Sequence, residues 1–318
     1  MKSSIDISIV IPVFNSARIL PELIHELRIF VQQRKEQFEV LLVDDFSTDD
    51  SWLVLKELCL QNRGLLKAIR LSRNCGQQSA TLCGMRECKG DIIITMDDDL
   101  QHKPKDIEKL LLTKQDTGAA IVIARLVEKR HGLFRKMCSD AMKFLAEKLV
   151  SKPKNLYLSS FRLMGRDIAD NILKIQTYYP YFPVLMLTVT RNIVNVDITH
   201  SERFDGKSKY SFFKSLTMST RLIINNSSVL LDFIGLLGIV SSLLSFSVAI
   251  VILIKKLLLG ISIQEWTSLM ISVYLVGGLI LFSLGIIGKY LLRILNETIH
   301  RTNYFISEKI DYSGGNLS

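Results

Sequence analysis

The 318-residue sequence predicts an α/β fold, in which a mostly parallel sheet has helices on both faces and is followed by membrane-associated helices. In the first half, short β-branched runs alternate with segments of helical spacing, which is typical of parallel strands joined by crossover helices. These runs are almost continuously apolar, as expected for strands that are buried on both faces. Nearer the C-terminus, two long runs contain no charged residue.

Five short runs are predicted as strands: Ile7–Val13, residues 38–43, Leu66–Leu71, residues 91–96 and residues 119–124. Apolar residues at helical spacing between Ile19 and Leu27 predict a helix after the first strand. Pro104 stands ahead of another such pattern, in a first-turn position that tolerates proline. Residues 131–150 predict an amphipathic helix. Residues 178–182, which are mostly aromatic, predict a loop or a segment that touches a membrane surface.

The two uncharged runs, residues 233–254 and 269–288, predict a pair of transmembrane helices. Each run has about 20 residues, which is what a helix needs to cross a hydrocarbon core of roughly 30 Å. Buried core helices are the alternative, but two such runs close together are hard to bury in a domain of this size. Ahead of them, residues 211–226 combine apolar side chains with Lys214 and Arg221, a pattern typical of an interfacial helix.

The formal net charge of +9 suits an anionic partner, either a membrane surface or a nucleic acid. Basic residues stand before the first uncharged run and after the second, so the positive-inside rule favours a cytoplasmic location for both ends. Charge placed beside membrane spans disfavours a nucleic-acid binder. No signal peptide is predicted, and the five cysteines lack metal-ligand spacing and fit a reducing compartment.

Acidic side chains follow two of the predicted strands. The second strand ends in Asp44 and Asp45, and the fourth ends in Asp97, Asp98 and Asp99. Ligands of parallel α/β sheets bind beyond the carboxyl ends of the strands. Three adjacent carboxylates repel one another, and a divalent cation such as Mg²⁺ or Mn²⁺ would offset that repulsion. From Asp45 to Asp49, a simple turn or helix cap is an equally good interpretation.

Two common phosphate-binding motifs are absent from the sequence. No GxGxxG follows the first strand, and no GxxxxGK[ST] occurs anywhere. The sequence therefore argues against a dinucleotide site of the Rossmann type and excludes a P-loop. Any bound phosphates would have to be held by a metal ion and by basic side chains.

Five segments in order carry a resemblance to a known family: IVIPVFN (9–15), LLVDDFSTDDS (41–51), LSRNCGQQSA (71–80), TMDDDLQHKP (95–104) and ERFDGKSKYSF (202–212). Together they resemble the family 2 glycosyltransferases of GT-A fold. The last segment and the two predicted spans are similar to the dolichol-phosphate mannose synthase type. Within it, the bacterial polyprenyl-phosphate glycosyltransferases, such as the undecaprenyl-phosphate 4-deoxy-4-formamido-arabinose transferases, are most similar. The resemblance extends from residue 7 to about residue 310.

The resemblance implies a nucleotide-binding role for residues after the first two strands. Pro12, Phe14 and Asn15 would line the pocket for the nucleotide base, and Asp44 would accept a hydrogen bond from that base. Asp98 would belong to the same nucleotide-sugar site.

The resemblance also implies a metal site and a basic phosphate site. Asp97, Asp99 and Gln101 would hold Mg²⁺ or Mn²⁺. Arg125 would face the phosphates of the donor or the acceptor, and Arg135 would reach the acceptor phosphate from the following helix. For both arginines, exposed helix-end charges are the alternative.

The segment RFDGKSK would close the donor site, according to the same resemblance. Arg203 and Lys209 would cover the diphosphate, although Lys209 could equally be an ordinary lysine ahead of a membrane span. Gly206 would permit a tight turn. Ser208 would cap the next segment and contact the nucleotide-sugar.

The implied reaction transfers a sugar from a nucleotide-diphosphate sugar, expected to be UDP-linked, to a polyprenyl phosphate with inversion. A phosphate monoester is largely dianionic near pH 7, so this nucleophile needs positioning and neutralisation by arginines rather than a strong base. The expected layout is a cytosolic GT-A domain (1–210), an interfacial helix (211–228), a transmembrane hairpin (229–292) and a cytosolic tail (293–318). We expect a multi-pass protein of the bacterial inner membrane, a homo-oligomer such as a tetramer, acting in cell-envelope, O-antigen or lipid A modification.

Two positions depart from the family pattern. Ser16 stands where the family usually has Glu, and Leu156 stands where related enzymes usually have Asp. Three other functions remain as alternatives. A saccharide-acceptor enzyme of the same family would need a carboxylate base on the acceptor side, for which the sequence offers no clear candidate. A processive polysaccharide synthase would need a Q-x-x-R-W motif and usually more membrane helices, and the sequence has neither. A catalytically inactive membrane scaffold would not need the intact acidic triplet.

Overall fold

A computed structural model of the chain describes residues 5–127, 153, 156–177, 180–199, 247, 250, 254, 258, 265–298 and 303–312. The chain divides into two compact units. The first comprises Met1–Lys209 together with His300–Ser318, and the second comprises Tyr210–Ile299. The chain therefore leaves the first unit and later returns to it.

The first unit contains an eight-stranded sheet. Its strands are β1 (Ile7–Val13), β2 (Phe38–Asp44), β3 (Leu66–Leu71), β4 (Ile92–Thr95), β5 (Ile121–Val127), β6 (Arg162–Gly165), β7 (Ile193–Thr199) and β8 (Ile306–Asp311). Its α-helices are α1 (Leu20–Gln32), α2 (Ser51–Gln61), α3 (Gln77–Glu87), α4 (Ile107–Thr117), α5 (Arg166–Lys174) and α6 (Phe182–Val189). A 3₁₀ turn, Pro104–Asp106, leads into α4.

The strand order is β7-β5-β6-β4-β1-β2-β3-β8, and most of the sheet is parallel. The pairs β1–β2, β1–β4, β2–β3 and β5–β7 are parallel. Strand β6 runs antiparallel to both β4 and β5, and β8 runs antiparallel to β3. Because β4 and β5 are both antiparallel to β6, they point in the same direction. The carboxyl ends of β1 to β5 and β7 therefore lie along one edge, called here the carboxyl edge.

Two hydrophobic clusters cover the two faces of the sheet. Side chains alternate along each strand, so Ile9 and Ile11 of β1 enter one cluster while Val10 enters the other. The first cluster includes apolar residues of α1, α2 and α4, and the second includes residues of α3, α5 and α6. The predicted α/β fold with a mostly parallel sheet and helices on both faces is confirmed.

The predicted strands correspond to β1 to β5, with one shift. The fifth was expected at residues 119–124 but occupies Ile121–Val127, because Gly118 ends α4 in the left-handed conformation and two further residues complete the connection. The membrane-touching interpretation of residues 178–182 is wrong for Phe182. This residue is fully buried in the second cluster and begins α6.

Several predicted segments lie outside the described residues: the amphipathic helix at 131–150, the interfacial helix at 211–226 and most of the run at 233–254. In the second unit, the helix α7 (Glu265–Thr298) contains the uncharged run 269–288. Among the residues that the structure describes, no helix is both long enough and apolar enough to cross a membrane. The transmembrane hairpin therefore stays a prediction.

Candidate active site

Three loops at the carboxyl edge contain non-glycine residues with left-handed backbone angles. They are Asn15 after β1 (φ 53°), Phe46 after β2 (φ 59°) and Leu100 after β4 (φ 57°). Such conformations are sparsely populated by L-residues, and they persist only where surrounding contacts hold them. In the described part of the chain, all the non-glycine residues of this kind lie in these three loops. The strain is therefore concentrated where the acidic residues were predicted to act.

Asn15 joins the first loop to the second. Its backbone N–H donates to the Ser47 hydroxyl at 3.0 Å, and its side-chain oxygen accepts from the Thr48 backbone N–H at 2.9 Å. The neighbouring Ser16 N–H donates to Ser51 Oγ at 2.8 Å. Asn15 thus fixes the two loops that were predicted to contact the nucleotide base. Beside it, the Phe14 side chain is 44% exposed, whereas Pro12 is buried within β1.

Asp44, the predicted contact for the base, is fully buried. One carboxylate oxygen accepts from the Ser47 N–H at 3.1 Å, and the other lies 3.2 Å from Arg70 Nε. Neither Asp44 Oδ2 nor Arg70 Nε has a hydrogen-bond partner among the described residues. The contact between them is therefore an ion pair and not a hydrogen bond. Burial raises the pKa of Asp44, while Ser47 and Arg70 act in the opposite direction. Arg70 is thus the cation that accompanies this buried carboxylate.

Asp45 anchors the loop that precedes α3. Its two carboxylate oxygens accept from the backbone N–H groups of Cys75 and Gly76, at 2.7 and 2.8 Å. Burial raises the pKa of Asp45, and these two hydrogen bonds partly offset the effect. Gly76 has φ 86° and immediately precedes α3, so Asp45 determines where Gln77 enters the site. Asp45 thus makes long-range contacts instead of those of a local turn or cap, whereas Asp49 makes a local contact by accepting from the Ser51 N–H at 3.0 Å.

Asp97 is held by two side-chain donors. Gln77 Nε2 donates to one carboxylate oxygen and Ser160 Oγ donates to the other, each at 2.5 Å. Burial raises the pKa of Asp97, and the charge of Asp99 raises it further. The negative charge of Asp99 thus disfavours the charged form of Asp97.

Asp98 turns towards the first loop. Its carboxylate accepts from the Phe14 backbone N–H at 3.4 Å and is hydrogen-bonded to Ser16. Burial raises the pKa of Asp98 to about 6, with a smaller contribution from Asp97. Asp99 accepts from the Gln101 backbone N–H at 3.1 Å. The three carboxylates therefore have different neighbours.

A buried arginine under the triplet was missed by the sequence analysis. Arg162 Nε donates to Thr95 Oγ1 at 3.1 Å and to the Ser160 carbonyl at 3.3 Å, and its guanidinium lies 4.0 Å from the Phe182 ring centroid. Burial lowers the pKa of Arg162 to about 10, and the charge of Asp97 opposes that shift. Arg162 thus supports Ser160, and through it Asp97. The sequence places Arg162 at the end of the segment LYLSSFR, which resembles a family motif, but it does not indicate the burial of this side chain or its contacts.

The predicted metal ligands fit a divalent cation by their chemistry. Asp97, Asp99 and the amide of Gln101 provide oxygen atoms, which are the ligands that Mg²⁺ and Mn²⁺ prefer. Burial is the main cause of the raised pKa of Asp97, and a bound cation would offset the smaller contribution from the charge of Asp99. Within the described ranges, no three or more His, Cys, Asp or Glu side chains form a cluster suited to a metal ion. The predicted ligand set has only two carboxylates, Asp97 and Asp99, and its third member is the amide of Gln101. The observation on three or more such side chains does not test this set, so the metal site stays a prediction.

Arg125 lies on β5 and is paired with Asp197 of β7. Its Nε and Nη2 donate to the two carboxylate oxygens at 2.5 and 2.7 Å, and both side chains are about half exposed. The hydrogen bond raises the pKa of Arg125 and lowers that of Asp197. The other predicted phosphate contacts, Arg135, Arg203, Ser208 and Lys209, lie outside the described residues. The convergence of these basic residues on the site stays a prediction.

Comparison with known protein families matches residues 8–173 to "Glycosyl transferase family 2". The chain belongs to this family. This glycosyltransferase is 30% identical, over 306 residues, to an undecaprenyl-phosphate 4-deoxy-4-formamido-L-arabinose transferase of Photorhabdus laumondii, with 96% of this chain and 94% of the relative covered. It is 31% identical over 309 residues to the enzyme of the same name from Klebsiella pneumoniae, with 96% and 93% covered.

Solved structures share the fold of this glycosyltransferase. Glucosyl-3-phosphoglycerate synthase from Mycobacterium tuberculosis, crystallised with Mn²⁺, UDP and phosphoglyceric acid, matches with a TM-score of 0.52 at 18% identity. The match covers 69% of this chain and 76% of that one. At this identity the likeness concerns the fold alone, and it agrees with the GT-A fold that the sequence motifs predicted.

Proposed function

We propose that this glycosyltransferase moves a sugar from a UDP-linked donor to a polyprenyl phosphate, with inversion at the anomeric carbon. The observation that carries the proposal is the acidic triplet Asp97–Asp99 held at the carboxyl edge beside the loops after β1 and β2. The names of the full-length relatives, which are undecaprenyl-phosphate transferases, support the choice of acceptor.

On the donor side, Asp97, Asp99 and Gln101 would hold a divalent cation. The bound cation would neutralise charge on the diphosphate as the sugar departs. Gln77 and Ser160 orient Asp97 for this task. The exposed ring of Phe14 offers an apolar surface to a base, next to the loop that Asn15 fixes. A structural neighbour crystallised with Mn²⁺ and UDP supports the choice of metal and nucleotide.

On the acceptor side, the proposed nucleophile is the phosphate oxygen itself. Because the phosphate is largely dianionic near pH 7, the site needs cations that position it rather than a base that removes a proton. Arg125 is proposed for this role, and it would have to exchange its partner Asp197 for the phosphate. Arg135 would assist, while Arg203, Ser208 and Lys209 would close over the donor.

A lipid acceptor has to be met at a membrane surface. The uncharged sequence runs 233–254 and 269–288, flanked by basic residues, support anchoring in the bacterial inner membrane with the catalytic unit on the cytoplasmic side. A homo-oligomer, such as a tetramer, and a product destined for O-antigen or lipid A modification belong to the same proposal.

The decisive experiment supplies undecaprenyl phosphate and a panel of radiolabelled UDP-sugars with Mg²⁺ or Mn²⁺. Label is expected in the solvent-extractable lipid fraction, and EDTA or Asp99→Ala is expected to lower the rate at least about 100-fold. Asp116→Ala, which removes an exposed carboxylate on α4, is the matched control and should leave the rate unchanged.

Other outcomes identify the alternatives. Label found only in water-soluble glycan would point to a saccharide acceptor and contradict the proposal. Absence of transfer from every donor, with the protein folded and metal present, would favour the inactive scaffold.

A further inference from the structure

The C-terminal strand β8 is built into the edge of the sheet. It pairs antiparallel with β3, in a register that places Glu308 opposite Arg70 and Asp311 opposite Lys67. Ile310 is buried in the first hydrophobic cluster, and Lys309 Nζ contacts Glu87 of α3 at 2.7 Å. Side chains alternate along a strand, so Glu308 and Ile310 share one face while Lys309 points to the other. Residues 306–311 are thus a structural part of the catalytic unit.

Glu308 fixes the indole ring of Trp52 on α2. Its carboxylate accepts from Trp52 Nε1 at 3.0 Å and pairs with Lys56 Nζ at 2.9 Å. Trp52 is 4% exposed, and a buried indole N–H that lost this acceptor would have to move or leave its donor unsatisfied. The position of the ring therefore depends on a residue 256 positions later in the chain.

Trp52 in turn supports Arg70. The Arg70 guanidinium carbon lies 5.7 Å from the Trp52 ring centroid and 5.4 Å from that of Phe46. Arg70 also contacts Asp44 at 3.2 Å and donates to the Ser47 carbonyl at 3.4 Å. A planar guanidinium on aromatic faces is held in one orientation, which a lysine could not reproduce. The Trp52 ring, which Glu308 holds in place, thus orients the Arg70 guanidinium towards the loop after β2.

We propose that Glu308 is a positioning residue for nucleotide binding, acting through Trp52 and Arg70 on Asp44 and the loop after β2. The inference rests on the proposed function, because it takes that loop as the site of the nucleotide base. A fully buried carboxylate needs a nearby cation to stay charged. Loss of Glu308 therefore changes the charge and the geometry of the base pocket without touching the acidic triplet.

Binding of UDP with Mg²⁺, measured by calorimetry on the full chain, tests this role. Glu308→Ala is expected to weaken UDP binding and to raise the donor KM by about tenfold, with kcat within about twofold, because only binding is affected. Glu308→Gln retains an acceptor for the indole N–H, so its loss should be smaller, about threefold. With Trp266→Phe as background, Trp52 fluorescence should shift in Glu308→Ala, since its indole environment changes.

Lys309→Ala is the matched control, because it removes an ion pair from the same strand on the opposite face. UDP binding by this variant should equal that of the wild type. Equal weakening in Glu308→Ala and Lys309→Ala would overturn the inference, since β8 would then act only by docking. Wild-type affinity in a folded Glu308→Ala variant would also overturn it, while leaving the proposed function intact. A wild-type chain that binds no UDP would overturn both.

Discussion

At the scale of single residues, the acidic triplet depends on the groups that hold it. Asp97 accepts from Gln77 and Ser160, and Ser160 in turn is supported by Arg162. The hydrogen bond from Ser160 favours the charged form of Asp97, whereas burial and the charge of Asp99 disfavour it. The charge of Asp97 therefore depends on Ser160, which lies outside the DDD motif, as well as on Asp99 within it.

Ser160→Ala tests this dependence. The variant leaves one Asp97 oxygen without its donor, and a hydrogen bond to a charged group is worth about 1.5–3 kcal/mol. We expect the Mn²⁺ concentration for half-maximal transfer to rise about tenfold or more, since the proton competes better with the metal. Ser159→Ala is the control, because the Ser159 hydroxyl accepts a hydrogen bond from the Phe161 backbone N–H at 3.1 Å and is not the donor to Asp97. Identical metal requirements in the two variants would contradict the assigned role of Ser160.

At the scale of elements, the position of α3 depends on the absence of a side chain at Gly84. A Cβ built at Gly84 would overlap the Val10 side chain of β1 and would lie 3.1 Å from Val43 Cγ2 of β2. Gly84→Ala is therefore expected to lower the free energy of unfolding by about 1–3 kcal/mol, measured by urea denaturation, because the core must give way. Transfer should also fall, since α3 begins with Gln77. An increase in stability, as expected for alanine in an unconstrained helix, would contradict this close packing.

The docking of β8 should depend on pH through Glu308. Hydrogen bonds from Lys56 and Trp52 lower the pKa of Glu308 below its usual 4.5. A lowered acid pKa stabilises the fold above the unfolded value, and this stabilisation is lost as pH falls through the folded value. The free energy of unfolding of the wild type, measured by urea denaturation, should therefore exceed that of Glu308→Gln at pH 7, by less than about 1 kcal/mol for so exposed a pair. The difference should disappear below pH ~4, and a difference that grew on acidification would contradict this assignment.

The sequence predicted those elements and site residues whose signal is local. Strands β1 to β5 were predicted because they are apolar, and the acidic triplet because three carboxylates follow one of them. Strand β8, with the sequence ISEKID, was missed because an edge strand with three charged residues has no apolar pattern. Arg70, Ser160 and Arg162 were missed for a related reason. Their roles arise from partners that only the tertiary fold brings near.

At the scale of the whole molecule, the path of the chain constrains how it can meet a membrane. The first unit includes both Met1–Lys209 and His300–Ser318, and β8 is paired within its sheet. Both ends of the intervening segment must therefore lie on the same side of any membrane that the segment crosses. The number of crossings has to be even, which agrees with the two predicted spans and excludes one or three.

Cysteine labelling in intact cells tests this constraint. With spans at 233–254 and 269–288, residues between them face away from the cytoplasm, whereas residues after β8 remain with the catalytic unit. We expect Ser262→Cys to react with a membrane-impermeant maleimide in intact cells, and Ser313→Cys to react only after permeabilisation. The unsubstituted chain measures the background from its five native cysteines. Labelling in intact cells of Ser313→Cys but not of Asp116→Cys, which lies on α4 of the same unit, would contradict an even number of crossings, and protection of Ser262→Cys there would contradict the hairpin itself.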